Sequence, residues 1–156
     1  MSDGRLDLSV QYAVPRRGLP HRIRLARWIE AALARPVRLT VRFVGVREGR
    51  ALNRDYRHRD YATNVLTFAY GSHGGGRSAP LAGDLVLCAP VVAREARAQA
   101  KPLDAHYAHL VVHGTLHVLG WTHERDDDAA RMELRETRIL ARLGYPDPYA
   151  AGSLPP

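Results

Sequence analysis

The side chains best equipped for chemistry lie in one run, His106-Tyr107-Ala108-His109-Leu110-Val111-Val112-His113-Gly114-Thr115-Leu116-His117, with Gly120 and His123 just beyond it. On a helix, offsets of three, four and four residues put His106, His109, His113 and His117 on one narrow face, while Leu110, Val112, Leu116 and Leu119 fall on others. Such a helix is core over much of its surface and lines something polar with its imidazoles. His113 and His117 are one turn apart, so their rings can meet at a single ion. Gly120 lets the helix stop and the chain reverse, which returns His123 toward the same ion. Three neutral imidazoles with one open position describe a catalytic rather than a closed structural zinc site. The ligand type alone separates zinc from nickel or iron poorly.

The spacing H-x-x-x-H-x-x-G-x-x-H is that of the metzincin proteases, yet Gly114 stands where those enzymes carry their general-base glutamate. The metal clamp is therefore present without the protease base. His109 lies about 12 Å along the helix axis from His117, too far to share an ion with ease. It is expected to support the ligands from behind or to touch substrate. His106 is expected to be solvated at the first turn. Asp126, Asp127 and Asp128 read as acids opening a helix, complementing its dipole and capping it, rather than as catalysts.

The elements that must position these residues are legible in the periodicity. Leu6, Leu8, Val10 and Tyr12 alternate with polar neighbours as a half-buried strand does, and Val37, Leu39, Val41 and Phe43 repeat the pattern. Ile23, Leu25, Trp28, Ile29, Ala32 and Leu33 lie between them at helical spacing, and a short helix is expected over 47–57. Val65–Tyr70 and Asp84–Leu87 read as further strands, joined by a glycine-rich flexible loop over 71–80. That loop has no phosphate-cradle pattern. Helices are expected over about 91–99, 103–119 and 126–143, the last ended by Gly144 and Pro146, with a frayed tail over 150–156. Strands in the first half, interleaved with and followed by helices, indicate an α+β or mixed α/β layered domain.

A chain of 156 residues with 46% hydrophobic and 25% charged residues has the length and composition of one globular domain, expected to span 1–156, and not of a disordered or fibrous protein. The net charge of +7 is unevenly spread: residues 1–60 carry +8, 61–120 carry +1, and 121–156 carry −2. Nearly all the cations are arginines, Lys101 being the single lysine. Arginine matches phosphate as a planar fork, so the first third suits a polyanionic partner. Cys88, alone in an apolar run, is expected to be a buried hydrophobe in a reducing compartment. No apolar signal core follows Met1 and no stretch is long enough to span a membrane, so a cytoplasmic location is expected.

His113-Gly114-Thr115-Leu116-His117-Val118-Leu119-Gly120-Trp121-Thr122-His123 resembles the signature H-G-x-L-H-x-x-G-x-x-H of the YbeY family of metal-dependent endoribonucleases. Leu52-Asn53-Arg54-Asp55-Tyr56-Arg57 with Ala62-Thr63-Asn64-Val65-Leu66-Thr67-Phe68 is similar to a second family block. Gly83-Asp84-Leu85-Val86-Leu87 is similar to a third, and Met132-Glu133 and Ile139–Gly144 to the closing helix. The family usually has Asp before the third histidine, where this chain has Thr122. The resemblance implies a single-domain α+β zincin-like fold with a mixed four-stranded sheet flanked by helices. It implies one Zn2+ held by His113, His117 and His123, with Arg57 as the cationic catalytic residue clamping phosphate.

The implied activity is single-strand-specific endoribonucleolytic cleavage in maturation of the 3′ end of 16S ribosomal RNA and in ribosome quality control. The implied partners are ribosomal RNA, the small ribosomal subunit and its assembly factors, without a membrane. Two other readings fit the residues: a non-catalytic RNA-binding assembly factor with a structural zinc, and a zinc peptidase, which Gly114 disfavours. The general base stays open, as does the nucleophile, water or the RNA's own 2′-hydroxyl.

Overall fold

The computed structural model describes residues 5–72, 74 and 76–150. The alternating segments form β1 (Leu6–Tyr12) and β2 (Val37–Val44), with α1 (Arg22–Ala32) between them. They are followed by α2 (Val46–Arg57), β3 (Val65–Gly71), β4 (Leu81–Cys88), α3 (Ala89–Ala98), α4 (Leu103–Val118) and α5 (Asp126–Arg142). The architecture is α+β, with a four-stranded mixed sheet in the order β1-β2-β4-β3. β1, β2 and β4 are parallel, with Leu8 opposite Leu39 and Leu39 opposite Gly83; β3 runs antiparallel to β4, with Val65 opposite Leu87.

The sheet is covered on both faces, and β4 shows it most plainly. Leu85 and Leu87 join the main core under α1, α4 and α5, whereas Val86 and Cys88 join a smaller cluster with Leu66, Val91 and Leu52. A central strand buried on both faces reads as a continuous apolar run, whereas the edge strand β1 keeps a clean alternation. Cys88 is buried as its surroundings require, and burial pushes its thiol pKa up. Among the described residues no helix is long and apolar enough to cross a membrane.

α4 runs through the middle of the molecule, buried at Tyr107, Ala108, Leu110, Val111, Val112, Leu116 and Val118. A helix apolar on most faces can only be central. It lies very close to the sheet at Gly114, where a Cβ would meet Leu85 Cδ2 at 2.6 Å and Thr67 Oγ1 at 3.2 Å. The glycine that replaces a protease base is thus also a point of close helix–sheet contact.

The elements depart from the sequence expectation mainly at their ends. β4 starts at Leu81 and α3 at Ala89, because a proline is tolerated in a first helical turn. The glycine-rich connection carries a 3-10 turn over Gly76–Ser78, and the Arg35 guanidinium donates to the carbonyls of Gly76 and Ala79. The tail expected over 150–156 lies outside the described residues apart from Ala150.

Candidate metal centre

The site is built at the C-terminal end of α4. The helix closes with the Gly120 N–H on the His117 carbonyl and the Trp121 N–H on the Leu116 carbonyl, both at 3.0 Å. This crossed pair requires a left-handed residue, and Gly120 has φ +103°. The reversal brings His123 back over α4, its ring centroid 4.8 Å from that of His117 and 5.6 Å from that of His113. One nitrogen from each of His113, His117 and His123 lies within 4.8 Å of the other two.

The orientation of two of these rings is fixed from behind. His117 Nδ1 lies 3.0 Å from the Trp121 carbonyl oxygen, which only an N–H can satisfy. His113 Nδ1 lies 3.0 Å from Glu136 Oε1 and donates to it in the same way. In the neutral rings both Nε2 atoms therefore carry lone pairs, yet they face each other at 3.0 Å. Two acceptors at that distance need a cation between them. A proton is a poor candidate, because burial, then the neighbouring His113, brings the His117 pKa down to about 4. A metal ion fits the donor set.

Glu136 was not singled out by the sequence. It lies on α5, its side chain is 1% exposed, and its carboxylate accepts from His109 Nε2 and His113 Nδ1 at 3.0 Å and from the Tyr149 hydroxyl at 3.1 Å. Burial opposes its ionisation, but the hydrogen bonds from His109 and His113 outweigh that and hold its pKa at about 2. Enclosed between the two rings and outside the cleft lining, this carboxylate orients the imidazoles. The same grouping of His109, His113 and Glu136 has its three ligand atoms within metal-binding distance of one another, but Glu136 already occupies the space between the two rings. The signal that could have found it is its place in the apolar stripe Met132, Glu136, Ile139, Leu140, all buried on one face of α5.

His109 thus supports the site through Glu136. His106 corrects the expectation of a solvated first turn: it is 4% exposed, with Nε2 2.9 Å from Glu95 Oε1. α3 packs over the start of α4 and covers it, which the spacing of the histidines alone could not reveal. Asp126, Asp127 and Asp128 form the first turn of α5, complementing its dipole, and Asp127 Oδ1 accepts the Asp128 backbone N–H at 3.0 Å, whereas the N-cap residue Arg125 makes no side-chain cap. None of the three lines the cleft described next.

His113, His117 and His123 open onto a cleft of about 490 Å3, walled by β3 through Val65, Thr67 and Phe68 and by Tyr56, Arg57 and Trp121. Arg42, Arg50 and Arg54 are held by Glu48, Asp60 and Asp55, whereas Arg57 forms no ion pair among the described residues. Its place on the cleft follows from the end of α2, where His58 adopts a left-handed conformation, φ 59°, and turns the chain. No carboxylate lines the cleft among the described residues.

In this α+β domain three imidazoles converge on a cleft shared with an arginine that forms no ion pair among the described residues, a donor set that could hold a metal ion. A family profile described as Endoribonuclease YbeY matches residues 21–144. An Endoribonuclease YbeY of Burkholderia pseudomallei (strain 1710b) is 56% identical over 153 residues, covering 94% of this chain and 82% of the relative. One of Stenotrophomonas maltophilia (strain K279a) is 55% identical over 152 residues, covering 94% of each. The chain belongs to the YbeY family. The solution structure of TM1509 from Thermotoga maritima, 19% identical, shares the fold with a TM-score of 0.54 over 88% of this chain and 91% of that one.

Proposed function

We propose that this chain is a metal-dependent endoribonuclease. It cleaves single-stranded RNA in maturation of the 3′ end of 16S ribosomal RNA and in ribosome quality control. It acts as one domain over 1–156, in the cytoplasm, with the small ribosomal subunit and its assembly factors. The observation that carries the reading is the cleft itself: three imidazoles and Arg57 line one space that no carboxylate lines among the described residues, in a member of a family whose relatives are named for RNA cleavage.

His113, His117 and His123 are the proposed ligands, and zinc the proposed ion. Bound there, zinc would supply Lewis acidity toward a phosphate oxygen and favour deprotonation of water. The protein's own part is positional and electrostatic. Glu136 and the Trp121 carbonyl hold His113 and His117 with Nε2 forward. Arg57 offers forked N–H donors to a non-bridging phosphate oxygen, where negative charge grows as the phosphodiester is attacked. The wall of Gly114, Thr67 and Leu85 leaves no room for a glutamate beside His113.

The test is cleavage of a ribosomal RNA precursor by the purified chain, with its metal content measured. His117→Ala and Arg57→Ala are each expected to lose cleavage, His117→Ala with loss of metal and Arg57→Ala with metal retained. Full cleavage by His117→Ala, together with a lower melting temperature on chelation, would make the metal structural and overturn the reading.

A further inference from the structure

Tyr56 closes α2 and is 65% exposed, although its neighbour on the cleft wall, Phe68, offers apolar surface that could have covered it. Single exposed hydrophobic side chains are ordinary. Among the described residues Tyr56 differs from Ile23, Val46, Tyr61, Tyr70 and Leu134, the other bulky side chains left in solvent, because it lines the same cleft as His113, His117, His123 and Arg57. Its ring meets Phe68 edge to face, with centroids 5.4 Å apart and planes at 79°. Phe68 in turn is fixed in β3, opposite Asp84 of β4. The Tyr56 ring is therefore braced by the sheet yet left uncovered, beside Arg57 in a cleft that no carboxylate lines among the described residues.

We infer that Tyr56, braced by Phe68, forms a stacking subsite for an unpaired nucleobase of the RNA whose phosphate Arg57 engages. The inference rests on the RNA reading above and adds to it a contact with the base. Nucleotides present both features the wall displays, an anionic phosphate and a planar π-face, and adjacent residues Tyr56 and Arg57 can serve the two parts of one nucleotide. Among the described residues the cleft pairs one guanidinium with three imidazoles and the rings of Tyr56, Phe68 and Trp121, and no carboxylate lines it to receive a peptide's amine or basic side chain. Because every base has a π-face, the contact selects unpaired over paired RNA without selecting a sequence. A rigid aromatic ring also loses little conformational entropy on binding.

The experiment is fluorescence anisotropy with a labelled, 2′-O-methylated single-stranded decamer, checked on a gel for integrity afterwards. A companion set of decamers carries one abasic position each. For the wild-type chain, removal of the base at one position is expected to weaken binding by about 5- to 150-fold. Tyr56→Ala is expected to show the same deficit with the intact decamer and to become indifferent to that abasic position. Tyr56→Phe and Tyr56→Trp, which keep a ring, are expected to restore both affinity and abasic sensitivity, separating lost stacking from a disturbed α2. Wild-type affinity in Tyr56→Ala, or abasic sensitivity that survives it, overturns the subsite and leaves the RNA reading standing. A wild-type chain that binds no decamer removes both.

Discussion

Glu136 and His113 come from different helices, 23 residues apart, and meet at 3.0 Å with the carboxylate 1% exposed. The pair decides which nitrogen of His113 faces the cleft. Imidazole ligands held by a buried carboxylate typically lose about 10- to 100-fold in metal affinity when that acceptor is removed. Glu136→Gln is expected to fall in that range, read by competition with a chromophoric chelator. Affinity within twofold of wild type would show that His113 needs no acceptor.

Removing the metal should cost stability as well as activity. A ligand held at 100 times its Kd stabilises a fold by about 2.7 kcal/mol, and a domain of this size shifts by roughly 2–4 °C per kcal/mol. Calorimetry of the zinc-loaded chain before and after chelation is expected to show a fall of about 5–11 °C. His117→Ala should start at the lower value and not respond to chelator.

Gly114→Ala tests the close packing of α4 on the sheet. Helix propensity favours alanine by about 1 kcal/mol. Overpacking against Leu85, which is fully buried, costs about 1–3 kcal/mol. The net expectation is a loss of about 1 kcal/mol by urea denaturation, and no such loss when Gly114→Ala is added to a Leu85→Ala background and compared with Leu85→Ala alone. A stabilised Gly114→Ala would mean that β4 and α4 separate more easily than their contact suggests.

The acid limb of stability should carry the mark of Glu95. Burial raises its pKa, but hydrogen bonds from His106 and Asn64 overcome that and hold it below its ordinary value of 4.5. A carboxyl depressed in the folded state stabilises above its unfolded pKa, and that contribution fades as pH falls through the folded value. The melting temperature of Glu95→Gln is therefore expected to trail wild type at neutral pH and to converge with it below pH 4.5. A gap that stays constant with pH would assign the loss to packing alone.

The convergence of His113, His117 and His123 was legible in the sequence because they lie within eleven residues and their spacing is dictated by helix geometry and one glycine turn. β1 and β2 were legible because apolar and polar residues alternate along them, and β4 because it is a continuous apolar run. Glu136, Tyr149 and the burial of His106 were not, because each depends on which helix packs against α4, a long-range choice that local periodicity does not encode. An acid within an apolar stripe, as at Met132, Glu136, Ile139 and Leu140, is the local trace that such packing leaves. Arg57 was visible only through its motif. Among fourteen arginines in the first sixty residues, nothing in its own neighbours set it apart until α2 was placed beside the cleft.

The glycine turn at the end of α4 gives His117 a carbonyl from the main chain at residue 121 as its hydrogen-bond acceptor. Every amino acid supplies that atom. His113 depends on a side chain that a single codon change can delete, whereas the orientation of His117 is carried by a group that no substitution at position 121 can remove. The two rings therefore present unequal mutational targets, and drift in this site should accumulate around the turn before it is tolerated at Glu136.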